Sequence, residues 1–297
     1  MIPAGGLGPS VSADFSYSKS SYHQGEADPT PTITGTTGGS FICTSGAVFV
    51  DTGSTSSSTG QIDLDASTID THLISYTVDS VTATANVGIT ASPFLANTYS
   101  MEFDSASSQY VMGNINTPSA FTNLTISCWV NVDSFAALQN GILSSSTTSG
   151  ANDYEYGFAL EVRNDNKFRC KIGSGGSTTN WLIASDTSST GQWYHIMCVA
   201  TPTQLELFVN GVSKGTETNS SLTPSFERFF IGSRFYSSST VNFFDGDIDE
   251  VAVWNKALEL ADAQTIYNST NNNPGKCANL FTGGLGSGLV YWNRMGD

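Results

Sequence analysis

The stretch FFDGDIDEVAVWNKALELADAQTIYN, residues 243–268, decides the fold of this 297-residue chain. Its first part alternates polar and apolar residues and predicts a β-strand. On a regular strand Asp245, Asp247 and Asp249 share one face, and Glu250 points to the opposite face with Ala252 and Trp254. These clustered carboxylates can be read as a catalytic set, a metal site or the polar edge of a sheet.

The second part of the stretch predicts a helix. Apolar residues recur at helical spacing from Leu258 to Tyr267, so that one side of the helix is apolar. We expect this helix to cap a sheet through Leu260, Ala263, Ile266 and Tyr267.

The composition predicts an all-β protein. Hydrophobic residues make up 39% and aromatic residues 11%, and only 12% of the residues are charged. Small polar residues fill the connections between the predicted strands. The formal net charge of −15 argues against nucleic acid and anionic membranes as partners, because both bind clustered Lys and Arg.

The N-terminus and the cysteines bear on whether the chain is exported and whether it forms disulfides. The sequence MIPAGGLGPSVSADFSYSK lacks a basic region followed by an apolar stretch, so we expect no signal peptide, and no apolar run predicts membrane insertion. The five cysteines lack zinc-like spacing, and we expect them to be buried and mainly unpaired.

Residues 1–11 form a Gly/Pro/Ser-rich arm, and residues 12–93 read as short strands with turn signals about every ten residues. The motifs DPTPTITGTTGGSF (28–41), STGQIDLDAST (58–68) and HLISYTV (72–78) resemble immunoglobulin-like repeats of bacterial surface proteins and phage structural proteins. The resemblance implies an immunoglobulin-like β-sandwich that acts as a spacer. Residues 91–99 then read as a linker.

Residues 98–270 carry longer alternating strands, and Asn210-Gly211 predicts a type I′ hairpin turn. The ordered motifs resemble laminin-G-like, concanavalin-A-like jelly rolls: MEFDSASSQYV (101–111), LTISCWVNVD (124–133), GQWYHIMCVA (191–200), LELFVNGVSKG (205–215), FFIGSR (229–234) and FDGDIDEVAVWNKAL (244–258). The resemblance implies a jelly-roll β-sandwich. That family includes carbohydrate-binding modules, adhesion domains, structural attachment domains and glycosidases.

The resemblance also bears on the acidic stretch. Glycosidases of this fold use an alternating Glu, Asp, Glu strand, and the stretch offers no such pair of Glu, so we do not expect catalysis. Related proteins hold Ca²⁺ where the first and last strands meet, which would bring residues 102–104 near residues 245–249. The resemblance therefore implies a Ca²⁺ site formed by Asp104, Asp247, Asp249 and the carbonyl of Gly246. The alternative is a solvated strand edge that discourages edge-to-edge pairing.

Glycan binding would use aromatic and polar residues of the loops. The candidates are Asn152, Tyr154, Tyr156, Trp181, Arg234 and Tyr236. The alternative is ordinary packing or contact with another subunit, since loop aromatics are also typical of protein interfaces. We expect Trp129, Trp193 and Trp254 to be core residues, because they lie inside the strand motifs of the jelly roll.

Residues 271–297 end in LVYWNRMGD, and Tyr291 and Trp292 would have nothing to bury against in an isolated tail. We therefore expect a connector to a further element or a tail that docks on another subunit. The functional hypothesis is a non-enzymatic attachment, decoration or fibre-like protein on the surface of a virus or phage particle, or of another extracellular assembly. Its partners would be structural subunits and cell-surface glycans. The alternative is a calcium-dependent carbohydrate-binding module or adhesin of a bacterial surface protein.

Overall fold

The computed structural model describes residues 10–115, 121–135, 139–146, 157–174, 177–178, 181–218, 224–236, 238–271 and 276–296. The chain divides into two compact units, Met1–Pro93 and Phe94–Asp297. The described residues are nearly all β, with a single α-helix among them. The predicted all-β class is confirmed. No helix in these ranges is long and apolar enough to cross a membrane.

The first unit contains nine strands in its described residues: β1 (Phe15–Ser16), β2 (Ser21–His23), β3 (Thr32–Ile33), β4 (Ser40–Cys43), β5 (Val48–Phe49), β6 (Ser56–Ser57), β7 (Ile62–Asp63), β8 (Asp70–Val78) and β9 (Val81–Thr90). The main sheet has the order β2-β9-β8-β4-β6, in which β2 pairs with β9 in parallel. β8 alternates between buried and more exposed residues, as the period of two requires. Its inward residues Ile74 and Tyr76 join a core that includes Phe41 and Phe49.

The second unit carries the remaining elements. Its strands are β10 (Phe94–Ala96), β11 (Met101–Phe103), β12 (Val111–Asn114), β13 (Leu124–Val132), β14 (Gln139–Ser146), β15 (Phe158–Arg163), β16 (Phe168–Ser174), β17 (Ser177–Thr178), β18 (Leu182–Ile183), β19 (Trp193–Ala200), β20 (Gln204–Val209), β21 (Val212–Thr218), β22 (Arg228–Ile231), β23 (Arg234–Tyr236), β24 (Ser239–Val241), β25 (Gly246–Trp254), β26 (Lys276–Ala278) and β27 (Leu289–Asn293). A short 3-10 helix spans Ser105–Ser107, and α1 spans Leu260–Asn271.

Two seven-stranded sheets enclose the core of the second unit. The helix-side sheet has the order β11-β25-β13-β19-β20-β21, and β27 also pairs with β25. The opposite sheet has the order β12-β22-β14-β15-β16-β17, and β18 also pairs with β16. Their facing residues form one apolar cluster that includes Ile126, Leu160, Cys170 and Ile248. Each sheet therefore has one face in the core and one outer face.

A β-bulge in β25, the strand of the acidic stretch, changes which of its residues share a face. Ser127 is opposite Ala252 while Trp129 is opposite Asp249, so two residues of β25 face one residue of β13. Glu250 lies at the bulge with a φ of 51°. The extra residue shifts the alternation, so the regular-strand prediction is wrong beyond this point. Asp249 lies on the same outer face as Ala252 and Trp254, not opposite them.

Helix α1 covers this outer face. It buries Ala263 and Ile266 against a second apolar cluster that contains Trp254. The predicted capping role is confirmed, but the helix begins at Leu260 instead of Leu258. Leu260 is 47% exposed because it stands in the first turn, outside the contact with the sheet. Trp254 donates its indole N–H to the carbonyl of Leu285 at 2.7 Å.

The C-terminal segment packs on the second unit itself. β26 pairs with β10, and β27 pairs with β25. The Tyr291 ring lies 4.4 Å from the ring of Phe229, and Trp292 donates a 2.6 Å hydrogen bond to Glu250. The expectation that these aromatics need another subunit is therefore wrong, because an edge of the helix-side sheet accepts them. β10 likewise places Phe94–Ala96, part of the predicted linker, in this unit.

The five cysteines are unpaired and buried, as predicted. Cys128, Cys170 and Cys198 lie in the apolar core between the two sheets. Burial raises the pKa of the Cys128 thiol well above its usual range. These cysteines therefore act as small apolar core residues.

Candidate ligand-binding site

The outer face of the opposite sheet carries a buried ion cluster. Along β15 the residues Leu160 and Val162 point into the core, so Glu161 points outward. The hairpin register places Glu161 directly opposite Arg169 on β16. Arg169 donates to the same carboxylate oxygen of Glu161 from Nε, at 2.8 Å, and from Nη2. The Arg234 Nη1 atom lies 3.1 Å from the other carboxylate oxygen of Glu161.

The residues of this cluster are buried although they lie on the outer face of the sheet. Glu161 is fully buried, and Arg169 and Arg234 are both buried. A buried carboxylate is stable only when it is paired and hydrogen-bonded; Arg169 donates both hydrogen bonds to Glu161, and Arg234 adds a second ion pair. The cluster therefore fixes the positions of both arginine side chains on the sheet.

Aromatic rings lie on the two arginines. The Arg169 guanidinium lies 3.9 Å from the ring centroid of Trp181, which is stacking distance. Arg234 lies 5.3 Å from the Trp181 ring and 5.0 Å from the Tyr236 ring. The Lys171 ammonium lies 5.7 Å from the Trp181 ring. We call these five residues, Arg169, Lys171, Trp181, Arg234 and Tyr236, the cation-aromatic platform.

The structure thus brings together three of the predicted glycan-binding residues: Trp181, Arg234 and Tyr236. The other three candidates, Asn152, Tyr154 and Tyr156, lie outside the described residues. Sequence reasoning missed Glu161, Arg169 and Lys171. The signal for Arg169 and Lys171 was present, because their alternation with Phe168 and Cys170 places two cations on an outer sheet face.

The platform brings three cationic side chains together in a strongly acidic chain. Arg169 and Arg234 pair with Glu161, and Lys171 lies beside the Trp181 ring. The whole chain has a formal net charge of −15. A local positive field beside exposed aromatic surface suits a ligand that combines a ring with an acidic group. Tyr236, which is 43% exposed, provides such surface.

The acids of the Phe243–Asn268 stretch lie elsewhere, on the helix-side sheet. The predicted approach of the first and last strands occurs, because Glu102 pairs with Asp247 and Phe103 with Gly246. Gly246 has a φ of 135°, and a Cβ at this position would lie 2.1 Å from the carbonyl oxygen of Asn131. This backbone position therefore requires glycine.

Each of the predicted calcium ligands already has partners in the chain. Asp104 caps the 3-10 helix and accepts hydrogen bonds from the Ala106 amide at 2.9 Å and the Ser107 hydroxyl at 2.6 Å. These bonds, with that of Ser107 the stronger, lower the pKa of the Asp104 carboxyl. Asp249 accepts from the Asn97 side chain at 2.9 Å and from the Glu250 amide at 2.7 Å.

Asp104 and Asp249 are held at separate positions by hydrogen bonds of the chain. Within the described ranges, no three His, Cys, Asp or Glu side chains form a group that could hold a metal. Ca²⁺ requires six to eight oxygens around one point, whereas Asp104 and Asp249 are each held by separate local hydrogen bonds. Calcium binding at this place stays a prediction.

Two of the three predicted core tryptophans are buried, and one is not. Trp129 and Trp254 are buried, whereas Trp193 is 40% exposed. Trp193 is the first residue of β19, where the strand begins and the outer face of the sheet is incompletely covered. The prediction for Trp193 is therefore wrong, and this ring lies at the surface instead.

Comparison with known proteins agrees with the fold. Residues 104–264, more than half of the chain, match the family model of the concanavalin A-like lectin/glucanase superfamily of the laminin G type. The chain belongs to this superfamily. No curated protein matches the sequence.

Solved structures with similar folds include a protein from Bacteroides ovatus ATCC 8483 that is proposed to bind carbohydrate. It is 15% identical with a TM-score of 0.56, over 95% of this chain and 90% of that chain. A heptameric SAP-like pentraxin from Limulus polyphemus is 18% identical with a TM-score of 0.45, over 60% and 82% of the two chains. The CBM40 of the Ruminococcus gnavus IT-sialidase, bound to α2,3-sialyllactose, is 14% identical with a TM-score of 0.42, over 53% and 98%.

Proposed function

We propose that the second unit is a non-enzymatic glycan-binding module that recognises acidic glycans at the cation-aromatic platform. The observation that carries the proposal is the stacking of Trp181 on Arg169, whose side chain is fixed by the buried carboxylate of Glu161. Sugar rings stack on aromatic side chains, and a preorganised surface loses little conformational entropy on binding.

Charge determines the class of glycan. Carboxylate or sulfate groups of an acidic glycan are attracted by the cationic side chains of Arg169, Lys171 and Arg234, which lie together at the aromatic rings. Arginine suits this task because its planar group both stacks on a ring and matches the geometry of a carboxylate. Neutral glycans gain only the stacking contribution, so they bind the platform more weakly.

The absence of catalysis is part of the proposal. Canonical glycoside hydrolysis uses two carboxyl groups that flank the bond to be broken. At the platform the carboxylate of Glu161 is paired with two guanidinium groups, so it is not available as a catalytic acid or base. The acids of β25 lie on the other sheet, where each accepts hydrogen bonds from the chain.

The comparisons support binding over catalysis. The Bacteroides ovatus protein with a similar fold is itself proposed to bind carbohydrate, and the likeness spans 95% of this chain. The aligned range therefore includes residues of both units. The spacer role of the first unit, proposed to be immunoglobulin-like, rests on the motifs of residues 28–78.

For the biological setting we propose an attachment or decoration role on a virus or phage particle or another extracellular assembly. The resemblance of residues 28–78 to repeats of such proteins supports this setting. Immunogold microscopy of particles from the source, with an antibody to the first unit, tests it. Labelled particles or filaments are expected, and label confined to soluble material would contradict the proposal.

A glycan array with sialylated, uronic-acid, sulfated and neutral glycans tests the binding function. The wild-type protein is expected to bind acidic glycans. The Trp181→Ala variant is expected to lose at least about tenfold in affinity, which corresponds to about 1.4 kcal/mol. Phe281→Ala, which removes a ring that is 74% exposed and lies outside the platform, is the matched control and should bind as the wild type does. A flat array from folded protein would contradict the proposal.

A further inference from the structure

A cavity of about 470 Å³ lies within the second unit, on the outer face of the helix-side sheet. The lining residues that determine its chemistry are Tyr99, Trp193, Asp249, Tyr267, Asn271 and Lys276. None of them belongs to the cation-aromatic platform. The volume lies in the range of small-molecule sites, about 300–1,000 Å³. We call this space the helix-side cavity.

Three aromatic rings with open surface border the cavity. Tyr99 lies between β10 and β11 and is 65% exposed, and Trp193, at the start of β19, is 40% exposed. Tyr267 of α1 is partly exposed and stacks on Trp129, with ring centroids 5.8 Å apart. The face of an aromatic ring carries partial negative charge, so rings from several segments around one space favour a cation.

A carboxylate adds a full negative charge at the cavity. Asp249 lines it from β25, where the Asn97 side chain donates to one carboxylate oxygen and the Glu250 amide donates to the other. Both donors are uncharged, so they orient the carboxylate and leave its charge in place. Because Asp249 is buried, its attraction for a cation in the cavity is less screened by water than at the surface.

The end of helix α1 also favours a cation. Asn271, the last residue of the helix, lines the cavity. The last four carbonyl groups of a helix have no partner within it and carry partial negative charge. The last turn of α1 has no basic side chain to offset this charge. The ammonium of Lys276 lies 6.0 Å from the ring centroid of Phe94, so its charge is directed at a ring outside the cavity walls.

The kind of cation follows from its need for hydrogen bonds. A primary ammonium has three N–H donors, and each of them needs an acceptor. A quaternary ammonium has no N–H donor, so aromatic faces and a nearby carboxylate bind it by charge and apolar contact alone. The exposed rings beside Asp249 therefore suit a quaternary ammonium better than a primary one.

From these observations we propose that the helix-side cavity binds a small ligand that carries a quaternary ammonium group. The methyl groups of the ligand contact the rings of Tyr99, Trp193 and Tyr267. Asp249 and the end of α1 supply the negative charge. The inference does not depend on glycan binding at the platform, because the two sites share no residue.

The test uses the full chain in the presence of a chelator, because the proposed site involves no metal ion. Choline and tetramethylammonium are the probes. Dimethylbutanol, the neutral isostere with a carbon atom in place of the choline nitrogen, is the control. Saturation-transfer NMR detects binding, and calorimetric titration measures it. Both ammonium ions are expected to bind, and dimethylbutanol should bind at least about tenfold more weakly than choline.

Two sites of substitution locate the binding. Trp193→Ala should weaken choline binding by at least about tenfold, because it removes an aromatic wall. Trp193→Phe keeps a ring and should weaken it less. Trp181→Ala, the removal of a tryptophan ring from the platform, should leave choline binding unchanged.

Asp249→Asn tests the charge. It keeps the shape of the side chain and should reduce the preference for choline over dimethylbutanol, a ratio that separates lost charge from a general folding defect. The proposal is overturned if neither ammonium ion binds, if dimethylbutanol binds as tightly as choline, if Trp193→Ala binds choline as the wild type does, or if Asp249→Asn keeps the full preference. Loss of acidic-glycan binding at the platform would leave these outcomes unaffected.

Discussion

The two outer faces of the jelly roll bury their outward-pointing side chains in different ways. On the helix-side sheet, α1 and the C-terminal segment cover Trp254 and Ala252 with apolar residues. On the opposite sheet, the outward side chain of Glu161 is buried by two arginines and by the aromatic rings on them. The covered face therefore contributes apolar burial, whereas the ionic face holds charged side chains in fixed positions, where we propose that a ligand binds.

The largest loss of stability is expected from a substitution on the covered face, which belongs to the helix-side sheet. Trp254 is fully buried and donates to the Leu285 carbonyl, so Trp254→Ala creates a cavity and leaves that carbonyl without its partner. We expect a loss of about 3–5 kcal/mol in the free energy of unfolding of the second unit. Urea denaturation measures it, with Trp193→Ala as the control, which should cost less than about 1 kcal/mol. Similar losses for both variants would show that the helix does not seal this face.

A slightly smaller loss of stability is expected from a substitution on the ionic face, which belongs to the opposite sheet. Glu161→Gln removes the buried carboxylate that pairs with both Arg169 and Arg234, which should destabilise the second unit by about 3 kcal/mol. Asp165→Asn is the control on the same β-hairpin, because its ion pair with Arg163 is partly exposed and should contribute less than about 1 kcal/mol. If both variants unfold at the same urea concentration as the wild type, the cluster does not stabilise the fold.

The stability of the helix-side sheet should also depend on pH, because it contains a buried histidine. His195 lies on the helix-side sheet beside Trp129, and burial lowers its pKa from 6.5 to about 3. Between these values the unfolded chain binds a proton that the folded chain does not, so the stability contributed by neutral His195 is full above pH 6.5 and is lost as the pH falls. We expect the second unit to lose roughly 2 kcal/mol from this group between pH 7 and 4.5.

His195→Gln should reduce this loss, and His23→Gln, at a partly exposed histidine of the first unit, should not. Thermal unfolding at both pH values measures the difference. An identical pH dependence in the wild type and in His195→Gln would contradict the buried, neutral state of His195.

The smallest effect is expected from calcium, which neither face requires. The melting temperature should be the same in calcium and in a chelator, because Asp104 and Asp249 are held by hydrogen bonds of the chain. An increase in calcium that Asp247→Asn abolishes would show that the acids rearrange into a metal site.

Much of the fold could be predicted from local sequence. The period-two alternation and the order of the strand motifs identify the jelly roll, and the hairpin turn at Asn210-Gly211 is confirmed by the φ values of 53° and 71°. The bulge at Glu250 could not be predicted, because it depends on how β25 pairs with β13. That single extra residue places Ala252 and Trp254 on the same face as Asp249.

The binding site could be predicted only in part. Loop composition singled out Trp181, Arg234 and Tyr236 as separate candidates. Their common location depends on Glu161. The register of the β15–β16 hairpin places Glu161 opposite Arg169, whereas the Arg234 that also pairs with it lies far away in the sequence. Such long-range pairing leaves no local pattern in the sequence. The exposure of Trp193 likewise depends on where helix α1 ends over the sheet.

Binding of acidic glycans at the cation-aromatic platform is tested most directly by titrating the tightest-binding acidic glycan from the array into three proteins: the wild type, Trp181→Ala and Trp193→Ala. We expect Trp181→Ala to lose at least about tenfold in affinity and Trp193→Ala to bind as the wild type does. Binding to the wild type should weaken as the salt concentration is raised. Equal affinities for the wild type and Trp181→Ala, or loss in Trp193→Ala alone, would contradict it.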